Sequence, residues 1–139
     1  MKNRFLLSWA ALLFILSFSC CEDKDEAEDI QTKLTGTWQL TSVQIDGAEV
    51  GVASFPGWIR LQENRIYLSY DATTNTLIRG GWSYEGSMLN ISTDLPAAYY
   101  VLLADGTSLS LKRQDFSTDG KLSVTVRHYR RTGDSQIPE

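Results

Sequence analysis

The chain has 139 residues, 13 Lys+Arg against 17 Asp+Glu, a net charge of −4, one His and two Cys. A nucleic-acid binder would show a basic face, and none is visible here. The two cysteines are adjacent, at positions 20 and 21. Neighbours of this kind close a strained ring and rarely bridge each other, so the fold must be held together by its core rather than by disulfides.

The N-terminus opens with Lys2 and Arg4, followed from Phe5 to Phe18 by a run that is apolar except for Ser8 and Ser17. About 14 residues is short of the roughly 20 that a spanning helix needs. A basic start, a short apolar stretch and a small residue at its end read as a secretory signal over residues 1–19. The end of that signal, Leu16-Ser17-Phe18-Ser19-Cys20, resembles the lipobox of bacterial lipoproteins, in which the peptidase cuts before the Cys and the thiol carries a diacylglycerol. The resemblance implies lipid attachment at Cys20 and a membrane anchor. Leu16 stands four places before Cys20, where the usual box has three, which keeps Cys21 as the alternative. Six acids and one Lys follow between Glu22 and Asp29. They repel one another and read as a solvated, disordered tether over 20–33. An acidic stretch directly after a lipidated Cys also resembles the export tag that sends lipoproteins to the outer face of the outer membrane in some Gram-negative phyla, which implies a surface-facing outer-membrane location.

With signal and tether set aside, ten basic and eleven acidic residues remain from Ile30 onward. The acidity belongs to the tether, and the single domain beyond it is nearly neutral. No segment there keeps helical periodicity for three turns. Short β-branched and aromatic runs alternate with turn pairs, the pattern of an all-β fold. Eight strands are predicted at 36–45, 57–63, 65–71, 76–84, 87–93, 98–104, 107–113 and 121–131. Glu85-Gly86, Asp105-Gly106 and Asp119-Gly120 supply hairpin turns, with longer turns at Glu63-Asn64 and Thr73–Asn75. Sequential hairpins give an eight-stranded antiparallel up-and-down β-barrel over 34–132, which closes its own edges, and a C-terminal tail over 133–139. In the last strand Leu122, Val124 and Val126 share one face, taken as the buried one. His128 and Arg130 continue that parity.

The domain opens Leu34-Thr35-Gly36-Thr37-Trp38. A Gly-x-Trp at the start of the first strand resembles the lipocalins, eight-stranded barrels that bind small apolar molecules. The later rhythm GGWSYEGSMLNIS, the Tyr99–Leu111 hairpin and the closing His128-Tyr129-Arg130-Arg131 are similar to the lipocalin-like domains of bacterial lipoproteins. In that family the Trp plugs the closed end of the barrel and a basic residue of the last strand packs across its ring. The resemblance implies a structural barrel-end pair of Trp38 and Arg130. The domain is shorter than a typical lipocalin and no C-terminal helix is predicted, so a smaller or filled barrel is the open question.

Catalysis finds no support in the residues. There is no His/Cys/Asp/Glu cluster at metal-ligand spacing, no nucleophile with a base partner, and no cofactor motif. The lone His128 reads as structure more readily than as a base. Aromatic residues carry the remaining functional signal. Trp82 and Tyr84 share one parity, and Tyr99 joins them as a candidate lining of an apolar ligand site. The expectation is a lipid-anchored, non-enzymatic barrel that holds a small apolar ligand. Its rival is a non-catalytic accessory module with a filled barrel that contacts glycans or an envelope protein.

Overall fold

The computed structural model describes residues 29–138. The signal peptide, Cys20, Cys21 and the acids before Asp29 lie outside them. Nine strands follow a short helical stretch at 29–34. They are β1 (Gly36–Ile45), β2 (Ala48–Val50), β3 (Trp58–Leu61), β4 (Ile66–Asp71), β5 (Thr76–Glu85), β6 (Met88–Ser92), β7 (Ala97–Ala104), β8 (Ser108–Phe116) and β9 (Leu122–Thr132). Every neighbour is antiparallel, and β1 pairs with both β3 and β9. The sheet therefore closes on itself as an eight-stranded barrel. The three-residue β2 is an appendage on the end of β1.

Turn chemistry sets the hairpins. Asp46 (φ 52°) and Gly47 (φ 82°) form the β1–β2 turn, and Gly86 (φ 55°) and Ser87 (φ 70°) the β5–β6 turn, both with the positive φ at two central residues that a type I′ turn requires. The second lies one residue beyond the predicted Glu85-Gly86, since Glu85 still pairs with Met88. The Asp105 and Asp119 turns are longer and are closed by side chains. Asp105 Oδ1 accepts from Ser108 N at 2.7 Å and Thr107 N at 2.9 Å. Asp119 Oδ1 accepts from Ser117 Oγ and from Lys121 N.

Register fixes which side chains point inward. Trp38 faces Ile59 and Arg131 across its two neighbours, Val43 faces Arg127, and Leu111 faces both Val101 and Arg127. Trp38, Val43, Leu61, Leu89 and Leu109 have no solvent exposure. The inward face of β9 is accordingly Thr125, Arg127, Tyr129 and Arg131, while Val124, Val126, His128 and Arg130 look out. This reverses the parity expected from Leu122, Val124 and Val126. A one-residue change of phase moves every side chain of a strand to the other face. Here the barrel interior is partly polar, so apolar alternation pointed to the wrong side.

One end of the barrel is plugged. Leu34, at the end of the helical stretch, is fully buried beside Trp38, whose indole N–H donates to Leu34 O at 2.8 Å. The guanidinium of Arg131 lies 4.6 Å from the Trp38 ring centre. It also donates to Lys33 O at 3.1 Å and to Gly106 O. Arg131, not Arg130, is thus the partner of Trp38; Arg130 sits opposite Gln39 on the exposed outer face. Gly36 (φ 141°) explains the Gly-x-Trp spacing, since a Cβ there would collide with the Arg131 guanidinium. Two further boundaries shift. Residues 29–34 are helical and belong to the plug rather than to a disordered tether. The tail after β9 folds back as a 3-10 turn (Asp134–Gln136) that buries Ile137. There Asp134 Oδ1 accepts from Thr37 Oγ1 at 2.6 Å, and Arg60 donates to Thr37 Oγ1 and Asp134 O.

Candidate functional site

Away from the plug the barrel ends in loops, at Asp46–Gly47, 72–75, 93–96 and 117–121. Several apolar side chains stand exposed around this end, Leu95 at 85% and Phe116 at 77% most of all, with Leu122 opposite Phe116. Inside, burial is graded. Around Trp38, Leu61 and Leu109 the packing is complete, whereas Ile45, Val50, Phe55, Tyr67, Tyr99 and Val101 pack against that core while staying partly accessible.

The group that organises this accessible half is Arg127. It projects inward from β9 between Val43 and Leu111. Its guanidinium lies 5.0 Å from the ring centre of Phe55 and 5.6 Å from that of Tyr99, contacts that stabilise a desolvated cation by about 1 kcal/mol each. The Tyr129 hydroxyl is its hydrogen-bond partner, and the phenols of Tyr99 and Tyr67 lie close enough to act on it electrostatically. Its Nε–H is buried and has no acceptor. Burial holds the Tyr129 and Tyr67 phenols above their ordinary value of 10.0, so both remain neutral hydroxyls. The inward carboxylate on β8, Asp115, is engaged by Arg113 Nε at 2.9 Å.

The three aromatic residues marked from the sequence all face inward but do different things. Trp82 is 4% exposed; its N–H donates to Gln62 O at 2.9 Å, and Arg65 stacks 4.7 Å from its ring centre. It borders a cleft of about 340 Å³ between the helical stretch and the turn after β3, lined by Gln31, Thr32, Thr35, Glu63 and Arg65. Tyr84 lies opposite Leu89 and carries Gln31 on its carbonyl oxygen. Only Tyr99 reaches the Arg127 cluster. Arg127 itself is absent from the sequence prediction because its parity was read as outward. Tyr129, an aromatic two residues on in an Arg-x-Tyr spacing, was the available sign of the true inward face.

His128 is outside the barrel. Its Nδ1 lies 2.8 Å from Ser110 Oγ, the residue opposite it on β8. No carboxylate is recorded on its other nitrogen among the described residues, and no group of three potential metal ligands occurs among them.

Comparison of the sequence with protein-family models and with curated proteins gives no match. Comparison of the structure does. The fold is similar to that of the bovine lipocalin allergen Bos d 2, with a TM-score of 0.51 at 12% identity over 73% of this chain and 75% of that one. Bovine odorant-binding protein, solved with a selenium-containing odorant, gives 0.49 at 6% over 74% and 73%. Aphrodisin, a sex pheromone from female hamster, gives 0.44 at 11% over 72% and 76%. At such identities the likeness concerns the fold, and the fold is lipocalin-like.

Proposed function

We propose that this lipocalin-like chain is an exported, lipid-anchored binding protein that takes a small, largely apolar molecule into the accessible half of its barrel. The observation that carries this reading is the gradient of packing inside the barrel. One half is solid around Trp38, while Phe55, Tyr67, Tyr99 and Val101 in the other are only partly buried. Eight-stranded barrels have room either for their own side chains or for one small ligand, and partial burial of large aromatic residues inside a closed sheet is what a shallow ligand site presents. Nothing in the inward face pairs a nucleophile with a base, which favours binding over catalysis.

Anchoring rests on the sequence: the lipobox-like Leu16–Cys20, with attachment at Cys20 or Cys21, and the acidic run that follows. An outer-membrane, surface-facing location is part of the same proposal. Two measurements test it. Native mass spectrometry of protein purified from its own host should reveal a bound small molecule; protein that is consistently ligand-free, and that binds no apolar probe, overturns the binding reading. Intact mass should show acylation that Cys20→Ser abolishes and Cys21→Ser leaves in place; an unmodified mature chain overturns the anchor.

The accessory-module reading has one observation in its favour. Tyr100, Leu102 and Leu103 are 43–52% exposed on β7, an apolar patch suited to a partner. Cross-linking on intact cells decides between the two readings, and a reproducible protein partner with no barrel ligand favours the second.

A further inference from the structure

We propose that the molecule held in the barrel carries an anionic head group and that Arg127 is its counter-charge. The inference rests on the binding reading above and narrows its ligand class to an apolar body ending in anionic oxygens.

The argument begins with an imbalance. Taking a guanidinium out of water costs several kcal/mol unless an opposite charge and hydrogen-bond acceptors replace the lost hydration. Arg127 receives two aromatic faces, Phe55 and Tyr99, and one neutral acceptor, the Tyr129 hydroxyl, but no carboxylate, and its buried Nε–H donates to nothing. Its strand neighbours, Val43 and Leu111, are apolar and fully enclosed. Every other guanidinium at or near the barrel's inner surface has a visible occupation: Arg131 holds Lys33 O and Gly106 O, Arg113 holds Asp115, and Arg65 holds Gln31 Oε1 at 2.6 Å. Among these, Arg127 alone faces the accessible half with a buried N–H that meets no acceptor.

The surroundings match a particular kind of guest. A guanidinium offers parallel N–H donors that fit the two oxygens of a carboxylate or phosphate. The phenol O–H groups of Tyr67 and Tyr99 can donate to the same oxygens. Ile45, Val50, Phe55 and Val101, all partly buried, supply the apolar wall for the remainder of the molecule. A neutral ligand could accept from the Nε–H but would leave the guanidinium charge without a counter-charge, and a cation would meet a like charge.

The test is calorimetric titration of the mature chain with three probes of equal chain length: decanoate, decyl phosphate and 1-decanol. At least one of the two anions should bind at least tenfold more tightly than decanol. Which anion binds more tightly identifies the head group as carboxylate or phosphate. Arg127→Met should bring the preferred anion within about twofold of decanol, and Arg127→Lys should keep part of the preference. Thermal unfolding without ligand supplies the second readout. Removal of a half-buried charge that lacks a counter-charge should leave Arg127→Met at least as stable as the parent, whereas a structural arginine would lose stability. Equal binding of all three probes by the parent overturns the anionic head group and leaves the barrel-binding reading intact. Binding of none overturns both. An undiminished anion preference in Arg127→Met overturns the role of Arg127.

Discussion

Replacing Arg131 by Ala isolates the contact that holds the plug, and the structure supplies its magnitude. Three interactions disappear together. One is the cation–π contact 4.6 Å from the centre of Trp38, worth about 0.5–1 kcal/mol for a side chain with solvent access. The others are charge-assisted hydrogen bonds to Lys33 O and Gly106 O. Buried bonds to a charged group reach about 1.5–3 kcal/mol, but Arg131 is exposed and water can replace it on both carbonyls, so the lower half of the neutral range, about 0.5–1 kcal/mol each, is appropriate. The total is about 2 kcal/mol. For a domain near 100 residues that corresponds to a fall in Tm of about 10 °C. Urea unfolding followed by tryptophan fluorescence should show the midpoint shift with an unchanged slope. Arg130→Ala is the internal control: it touches the outer face and should cost no more than about 0.5 kcal/mol. If Arg130→Ala destabilises as much as Arg131→Ala, the register assigned to β9 is wrong, and with it the inward placement of Arg127.

Trp38→Phe should be costlier still, about 3 kcal/mol by calorimetry, because it leaves a void and deprives the buried Leu34 carbonyl of its N–H donor; a loss under 1 kcal/mol would mean the plug does not depend on the indole. The buried Tyr129 phenol has a raised pKa in the folded state, so its contribution is complete below the unfolded value of about 10 and declines as pH rises above it. Stability measured between pH 9 and 12 should therefore fall in the parent and fall less in Tyr129→Phe, and parallel curves would contradict the assignment. Asp105 behaves in the opposite sense. Backbone N–H donors of Ser108 and Thr107 hold its carboxyl below the ordinary 3.8, so the 105–108 turn should keep its amide protection above that pH and lose it as the acid range below is entered. Hydrogen exchange across pH 2–5 reads this directly, and Asp105→Ala should abolish the dependence.

Much of this barrel could be read from residues alone because its signals are local. Asn, Asp and Gly at the reversals, and β-branched or aromatic residues between them, place eight strands within a few residues of where they lie. The short β2 was missed because three residues carry no period. The helical stretch at 29–34 was missed because two turns rich in charge and Thr do not show an apolar stripe; Leu34 is buried by the barrel it enters, not by its own helix. The face of β9 was misassigned for a different reason. Alternation identifies an inner face only when the inside is the more apolar one, and here Leu122, Val124 and Val126 line the outside while Arg127 and Arg131 point in. The candidate site was legible to the same degree. Tyr99 could be nominated as an inward aromatic, but Arg127 becomes visible only once Val43 and Leu111 are seen on either side of it.

The plug also gives the barrel a direction. The helical stretch enters beneath Trp38, and the tail after β9 is fastened to Thr37 and Arg60 close to the same pole. Strands of about ten residues rise roughly 3.3 Å per residue and lean about 40° in such barrels, so the rim with Leu95, Phe116 and Leu122 lies about 25 Å from that pole. A molecule tethered through its base stands like a cup on a stem. With the anchor proposed here, traffic through the rim comes from the far side, from the surrounding medium or a facing surface, rather than sideways out of the bilayer that holds the stem.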